Sequence, residues 1–234
     1  MGYEAGEEET VRLSAAEKKN RLERAQAQLL AADPEIAPLH LRHKTKLAAS
    51  FWGRAWCRHL EIFHELDYRF SAGRTLLRAG AVLDLRCRET LLAAWVFDLE
   101  FYKVTIRFEP LDPAKWARFV GKAQGQVSSL LDLLAGKVPD SLAQLIADPS
   151  WGLFPESSEL CFSCTCLDHA SLCVHVSACL YGIGVRGDES AGLFFALRRV
   201  NPQEIISGLA SELRSQPGEL PKLDLGQLFA IELE

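Results

Sequence analysis

Alternating apolar and polar residues predict an α+β fold in which an antiparallel β-meander packs with helices. The segments 81–88 and 102–108 alternate between apolar and polar positions, and the segment 91–97 is almost continuously apolar. Alternation of this kind is typical of strands that bury one face. Because the connections are short, consecutive strands are expected to pair antiparallel. The same pattern places Cys87 on the inward face, as a small core residue.

Helical patterns precede the meander. Ser14 and Glu17 form a capping box, which predicts an exposed helix that ends near Ala32. A second helix is predicted over about 51–65, because apolar residues recur there at helical spacing. The residues on its apolar face are Trp52, Trp56, Leu60 and Phe63. An aromatic stripe at helical spacing belongs more often to a core than to a ligand site, so we interpret this one as core.

A long helix is predicted directly after the meander. Asp112 has the character of an N-cap and Pro113 occupies the first helical position. An apolar stripe continues from there to Leu134, and Gly136 is expected to end the helix. A shorter helix is predicted after Pro139.

Charge is distributed unevenly along the chain. The formal net charge is −5, yet residues 40–88 contain ten Lys/Arg and four Asp/Glu, and residues 201–234 contain two Lys/Arg and six Asp/Glu. This asymmetry predicts a basic face and an acidic tail. The basic stretch is interpreted either as an ordinary solvated surface or as a contact surface for a partner.

Two arginines in the basic stretch are candidates for a partner or nucleic-acid surface. Arg74 and Arg78 are four residues apart in a predicted helix at 71–80, so they share a helical face. Gly80 is expected to cap this helix at its C-terminus.

The sequence predicts a cytoplasmic protein with no membrane contact. The longest apolar runs, such as 91–97, are far shorter than the roughly 20 residues that a membrane helix needs. The first ten residues are acidic and lack the basic-then-apolar order of a secretion signal.

Cysteines provide the main chemical signal. The chain has seven, of which five lie between 161 and 179. An odd number in a chain without a secretion signal favours metal binding or catalysis over disulfides. If 159–166 forms a strand, Cys164 and Cys166 lie on one face and Cys161 on the other. Two sulfurs on one face can lean towards the same ion, because zinc holds its sulfur ligands about 3.7 Å apart.

The second half of the cluster begins a helix. Residues two apart on a helix point in nearly opposite directions. Cys173 and His175 can therefore reach one ion only if Cys173 precedes the helix and His175 lies in its first turn. The four residues Cys164, Cys166, Cys173 and His175 would then form a closed Cys3His site, which is typical of structural zinc.

Other residues near the cluster are alternatives. Cys161 or His169 could replace one of the four ligands. Cys161 is disfavoured because it would lie on the opposite face of the strand from Cys164, and His169 is disfavoured because it is expected in an exposed loop. Cys179 falls one helical turn after His175 and is expected in the core. A nucleophilic pair of Cys173 and His175 would leave the other two cysteines without a role.

The spacing C-x-C-x6-C-x-H resembles the SWIM zinc finger, in which CxC is followed after a variable gap by CxH. Further segments are similar to blocks of bacterial SWIM zinc finger proteins and occur in the same order, over about 47–210. They are SFWGRAW (50–56), SAGRTLLRAGAVLDL (71–85), YKVTI (102–106), LLAGKVP (133–139), GLFP (152–155) and LFFALRRV (193–200).

The resemblance implies Zn²⁺ as cofactor, with Cys164, Cys166, Cys173 and His175 as its ligands in a small ββα unit. It implies four regions: an N-terminal segment, helix and linker at 1–46, an α+β domain at 47–158, the zinc finger at 159–200, and a C-terminal helix and acidic tail at 201–234. Bacterial members are associated with Swi/Snf-type, helicase-like ATPases. The implied function is a non-catalytic interaction module, an adaptor for such an ATPase.

Departures from the SWIM family pattern affect which kind of partner the sequence predicts. Leu167 and Leu172 stand where the family often has proline, and Val174 stands where it often has lysine. The missing lysine and the negative net charge favour a protein partner, with direct DNA binding through the basic 40–88 region as the alternative. An enzyme with a zinc site is favoured least, since the sequence has no Walker loop, GxSxG elbow or HExxH motif, and no small-molecule substrate is evident.

Overall fold

The structure is a computed structural model that describes residues 14–36, 38–43, 45–62, 67–168 and 172–207. Its helices are α1 (Ala15–Ala32), α2 (Phe51–His59), α3 (Asp67–Arg78), α4 (Pro113–Ala123), α5 (Leu130–Leu134), α6 (Asp140–Ile146), α7 (Val174–Glu189) and α8 (Gly192–Leu197). Its strands are β1 (Val82–Arg88), β2 (Leu91–Asp98), β3 (Glu100–Phe108) and β4 (Leu160–Cys164). None of the helices in these ranges has the length and apolar character needed to cross a membrane.

The predicted meander is confirmed, and a fourth strand extends it. The strand order is β1-β2-β3-β4, and every neighbouring pair is antiparallel. The strand that carries the first cysteines, β4, pairs with β3, so that Cys164 lies opposite Val104 and Phe162 opposite Ile106. The fold is therefore α+β as predicted, and the strand of the cysteine cluster belongs to the same sheet as the meander.

The helix that follows the cysteine cluster, α7, runs through the core. Most of its residues are buried, and α2 and α3 pack against it. Trp56 of α2 is 1% exposed, and its indole N–H donates to the carbonyl of Leu180 in α7 at 2.7 Å. At Gly73 of α3 a side chain would collide with Ser177 of α7, so glycine allows this close approach. These contacts fix the position of α7 and of the residues at its start.

The loop before α2 is tied to the far end of α7. Asp188 accepts hydrogen bonds from the backbone N–H groups of Ala49 and Ser50, at 2.6 and 2.9 Å, and from the Ser50 hydroxyl at 2.6 Å. Ser50 in turn caps α2 by accepting from the N–H of Gly53. Both ends of α7 are thus anchored, one by this network and one by the cysteine cluster.

The prediction of a single helix over 112–134 is wrong. Asp112 caps α4 as expected, but α4 ends at Ala123 and a new helix, α5, begins after Ser129. Gly125 has φ of +75°, a left-handed conformation that interrupts helical hydrogen bonding. Ser129 then accepts from the N–H of Asp132 and caps α5. The continuous apolar stripe concealed this break.

The other helices follow the predictions more closely. The capping box at Ser14 and the end of α1 at Ala32 are confirmed. The helix predicted over 51–65 ends earlier, because α2 stops at His59 and a 3-10 turn follows at Leu60–Ile62. Phe63 lies outside the described residues. Residues 203–207 are helical, and the acidic tail from 208 onwards also lies outside them.

The alternation expected in β1 fails at its start. Val82 and Leu83 are both buried, because a bulge shifts the register between Val82 and Asp84. Strict alternation with the inward Cys87 would place Asp84 on the solvent face, but Asp84 is 4% exposed, and Arg86 neutralises it at 2.7 Å. A buried carboxylate needs such a partner. The boundaries at 46, 158 and 200 stay predictions, although one buried cluster includes residues from Leu39 to Ile205.

Candidate metal centre

Two elements bring the cysteine cluster together. Cys164 is the last residue of β4, and Cys166 lies two residues further along the chain. Cys173 is the N-cap of α7, and its sulfur accepts from the N–H of Val176 at 3.5 Å. His175 lies in the first turn of α7. This is the arrangement that the sequence required if Cys173 and His175 were to face one ion.

The four predicted ligands converge. The three sulfurs and one ring nitrogen of Cys164, Cys166, Cys173 and His175 all lie within 4.8 Å of one another. Nδ1 of His175 is 3.7 Å from Sγ of Cys164 and 3.9 Å from Sγ of Cys173. A tetrahedral ion with bonds of about 2.3 Å to sulfur and about 2.0 Å to nitrogen separates these atoms by roughly 3.5 Å. The cluster can therefore hold a metal ion with only small adjustments.

Protons compete with a metal ion for part of the cluster. Cys173 is 3% exposed, and hydrogen bonding from the Cys164 thiol lowers its pKa while raising that of Cys164. Burial opposes charge on His175, but the Asp98 carboxylate and the Cys173 sulfur outweigh burial and raise the pKa of His175 to about 10. A bound cation would replace these protons, and metal binding should therefore release protons to solvent.

Two residues of the β2–β3 hairpin orient His175. The ring of Tyr102 stacks on the imidazole, with 4.2 Å between centroids and 21° between planes. Nε2 of His175 is buried and has no hydrogen-bond partner among the described residues, and Oδ2 of Asp98 lies 3.6 Å away. With Nδ1 turned to the sulfurs, Nε2 is the ring nitrogen nearer to this carboxylate. A metal-binding histidine usually donates its second N–H to such a group.

Sequence reasoning missed Asp98 and Tyr102 as residues of the site. Tyr102 lies on the same face of β3 as the buried Val104 and Ile106, and it meets His175 there. Asp98 ends β2 at a tight turn in which Leu99 has φ of +68°. The alternating pattern indicates that residues on the inward face of the meander contact a helix. It does not indicate which helix packs against the end of the meander where Asp98 and Tyr102 lie.

The remaining cysteines lie outside the group of four ligands. Cys161 is exposed on the opposite face of β4, as strand parity predicts, and lies outside the group of four. Cys179 is fully buried, and burial raises its pKa. Burial also raises the pKa of Cys57 and Cys87 to about 12. Thiols of this kind are unreactive at neutral pH. His169 lies outside the described residues, so its role as an alternative ligand stays a prediction.

The two candidate arginines have different environments. Arg74 is partly buried, donates to the Tyr181 hydroxyl at 3.1 Å and lies over that ring, 5.5 Å from its centroid. Arg78, in the last turn of α3, is exposed. Arg74 thus has a packing role between α3 and α7, and Arg78 is the more accessible of the pair.

The fold and the site together define an α+β protein with a Cys3His cluster that can hold a metal ion. No family model matches the chain, and no solved structure matches it. The chain is similar to Rv2102, a protein of Mycobacterium tuberculosis whose name describes it as uncharacterized, with 26% identity over 168 residues. That match covers 70% of this chain but only 60% of the relative.

Proposed function

We propose that the protein is a zinc-binding, SWIM-type interaction module without catalytic activity. The observation that carries the proposal is the convergence of three sulfurs and one imidazole nitrogen within 4.8 Å. This donor set suits zinc, and four protein ligands fill a tetrahedral shell. With no position left for water or substrate, the ion would hold β4 against the start of α7 and would not take part in a reaction.

Contacts that arginines of the basic 40–88 region make within the chain support a protein partner over DNA. Arg42, Arg69 and Arg86 form ion pairs with Glu189, Asp168 and Asp33, respectively. Arg54 and Arg74 hydrogen bond to Ala49 and Tyr181. The exposed pair of Arg42 and Glu189, 3.8 Å apart, is weak, but the other four arginines make contacts within the chain, so fewer cations remain for phosphates. Direct DNA binding stays the alternative, with exposed Arg78 and Arg88 as the phosphate contacts.

The partner that we propose is a helicase-like ATPase of the Swi/Snf type. The resemblance to bacterial SWIM proteins supports this choice, since those proteins are associated with such ATPases. In an adaptor of this kind the zinc ion stabilises the binding surface, and the partner ATPase carries out ATP hydrolysis.

Metal analysis of purified variants tests the zinc proposal. We expect about one zinc ion per chain in the wild type and a large loss in Cys173→Ser. Cys161→Ser is the matched control, because this exposed cysteine lies close in sequence but points to the opposite face of β4. Absence of zinc from the wild type, or equal loss from both variants, would refute the Cys3His assignment.

Affinity purification from the native host tests the partner. Tagged wild type should retain a helicase-like ATPase, and Cys173→Ser should lose it while Cys161→Ser keeps it. A gel shift with duplex DNA at two salt concentrations tests the alternative, because binding through several phosphate contacts weakens steeply with salt. A salt-sensitive shift by the wild type, with no ATPase retained, would favour the DNA-binding function.

A further inference from the structure

A groove lies beside the metal centre, between the N-terminal half of α1, the C-terminal half of α3 and the β2–β3 turn. We name it the α1–α3 groove; its volume is about 420 Å³. This is within the range of roughly 300–1,000 Å³ that is typical of pockets that bury a ligand. Ala25, which is 2% exposed, and the ion pair between Arg86 and Asp33 at 2.9 Å hold α1 against the sheet and form this groove.

The floor of the α1–α3 groove is apolar and partly open to solvent. Leu22 of α1, Leu76 of α3 and Phe97 of β2 line it and are each partly exposed. Leu99, at the tip of the turn, adds a side chain that is 55% exposed. Apolar side chains that gather in a concave surface and remain exposed are typical of a binding site for an apolar partner surface.

The rim of the groove is positively charged. Lys18, Lys19 and Arg21 of α1 line it and are exposed. Lys19 also approaches Glu23 at 3.8 Å, but both side chains are mostly in solvent, and such a pair is weak. The acidic residue among the lining side chains is Asp98, whose carboxylate faces His175. The rim therefore offers net positive charge to an occupant.

We propose that the α1–α3 groove binds an acidic amphipathic helix of a partner protein. Apolar side chains at i, i+3 or i+4, and i+7 would enter the floor, and flanking Asp or Glu would meet the three cations on the rim. A nucleic-acid backbone would match the rim but would leave the floor of Leu22, Leu76 and Phe97 unused. The apolar floor therefore favours a peptide over a phosphate chain. This inference rests on the proposed function, since it supplies the surface through which an interaction module would act.

Asp98 connects the groove with the metal centre. It lines the groove and lies 3.6 Å from the His175 ring. Loss of the ion frees His175 and removes a constraint on the hairpin that forms one wall. We therefore expect helix binding to weaken in the metal-free protein.

Fluorescence anisotropy with the zinc-loaded full chain tests the proposal. The probe is a labelled peptide of about 18 residues, with leucines on one helical face and glutamates elsewhere, long enough to form a helix. Charge reversal at two rim positions, Lys18→Glu with Arg21→Glu, should weaken binding about tenfold. Arg24→Glu is the control, since it reverses one charge on α1 at an exposed residue outside the groove lining, and its effect is compared with that of the single rim variant Arg21→Glu. Circular dichroism and zinc content should be unchanged in all three variants.

A scrambled peptide and a DNA competitor complete the experiment. The proposal is supported if the scrambled peptide, which has no apolar face, binds at least about tenfold more weakly than the probe. It is overturned if both peptides bind equally, if Arg24→Glu weakens binding as much as Arg21→Glu, or if the folded, zinc-loaded protein does not bind the probe. Displacement of the probe by duplex DNA would instead identify a nucleic-acid surface. Failure of the zinc proposal is distinguishable, because it appears in the metal content of the wild type.

Discussion

The carboxylate of Asp98 should contribute to metal affinity through His175 without touching the ion. In the structure Oδ2 of Asp98 is 3.6 Å from Nε2 of His175. A movement of about 0.7 Å would bring this distance to an ordinary N–H···O hydrogen bond of about 2.9 Å. The bond would fix which ring nitrogen carries the proton and would make Nδ1 a stronger ligand. Asp98→Ala removes this support and leaves all four ligands in place.

The loss of zinc affinity expected for Asp98→Ala lies at the lower end of the range known for such substitutions. Loss of a partner of a metal-binding histidine typically lowers metal affinity by about 10- to 100-fold. The Asp98 side chain is 45% exposed, so water can replace part of its contribution. We therefore expect zinc affinity to fall about tenfold in Asp98→Ala, which corresponds to about 1.4 kcal/mol. Asp98→Asn retains an acceptor oxygen without the charge, and it should have an intermediate affinity.

Competition with a chromogenic zinc chelator measures this affinity at fixed pH. Glu100→Ala is the control, since Glu100 is an exposed acidic residue on the opposite strand of the same tight turn. An affinity for Asp98→Ala within about twofold of the wild type would contradict the orienting role. So would an equal loss in Glu100→Ala, which would indicate general electrostatic attraction.

Three further predictions concern contacts made by α7. Gly73→Ala should destabilise the fold by about 1–3 kcal/mol in urea unfolding, since the new methyl group would meet Ser177 and the backbone of α7. Asp188→Ala should cost about 2 kcal/mol in the same assay, because it removes three hydrogen bonds to the loop before α2; unchanged stability would contradict that role. Tyr102→Leu should speed zinc release to a chelator with little loss of stability, because it removes the ring stacked on His175; unchanged release would show that stacking is irrelevant.

Local rules predicted much of the candidate site from the sequence. The strand predicted to 166 ends at Cys164, and Cys166 joins the cluster from the residues that follow β4. Strand alternation still separated Cys164 from Cys161, and helix geometry required Cys173 to precede the helix that carries His175. Both conclusions depend on neighbouring residues and fixed backbone periods, and the structure has both. Alternation likewise predicted the meander, since residues two apart on a strand share one face.

Features that depend on distant contacts were not predictable in the same way. Asp98 meets His175 only because the first turn of α7 lies beside the end of the β2–β3 hairpin, and no local pattern specifies that placement. The burial of Asp84 depends on a bulge and on Arg86 as its neutralising partner. The break between α4 and α5 was concealed because an apolar stripe continues on both sides of Gly125. A single glycine in a helical pattern does not show whether it will adopt positive φ.

Metal removal should have a local effect, because the two ends of α7 are held by different interactions. The first turn depends on the cluster of Cys173 and His175, whereas the middle is fixed by Trp56 bonding to Leu180. We therefore expect a chelator to speed backbone hydrogen exchange at 172–177 and to leave 178–185 protected, since local opening follows local contacts. Exchange spreading over the whole of α7 would contradict this expectation. It would mean that the ion maintains the core, as in small zinc fingers that unfold without metal.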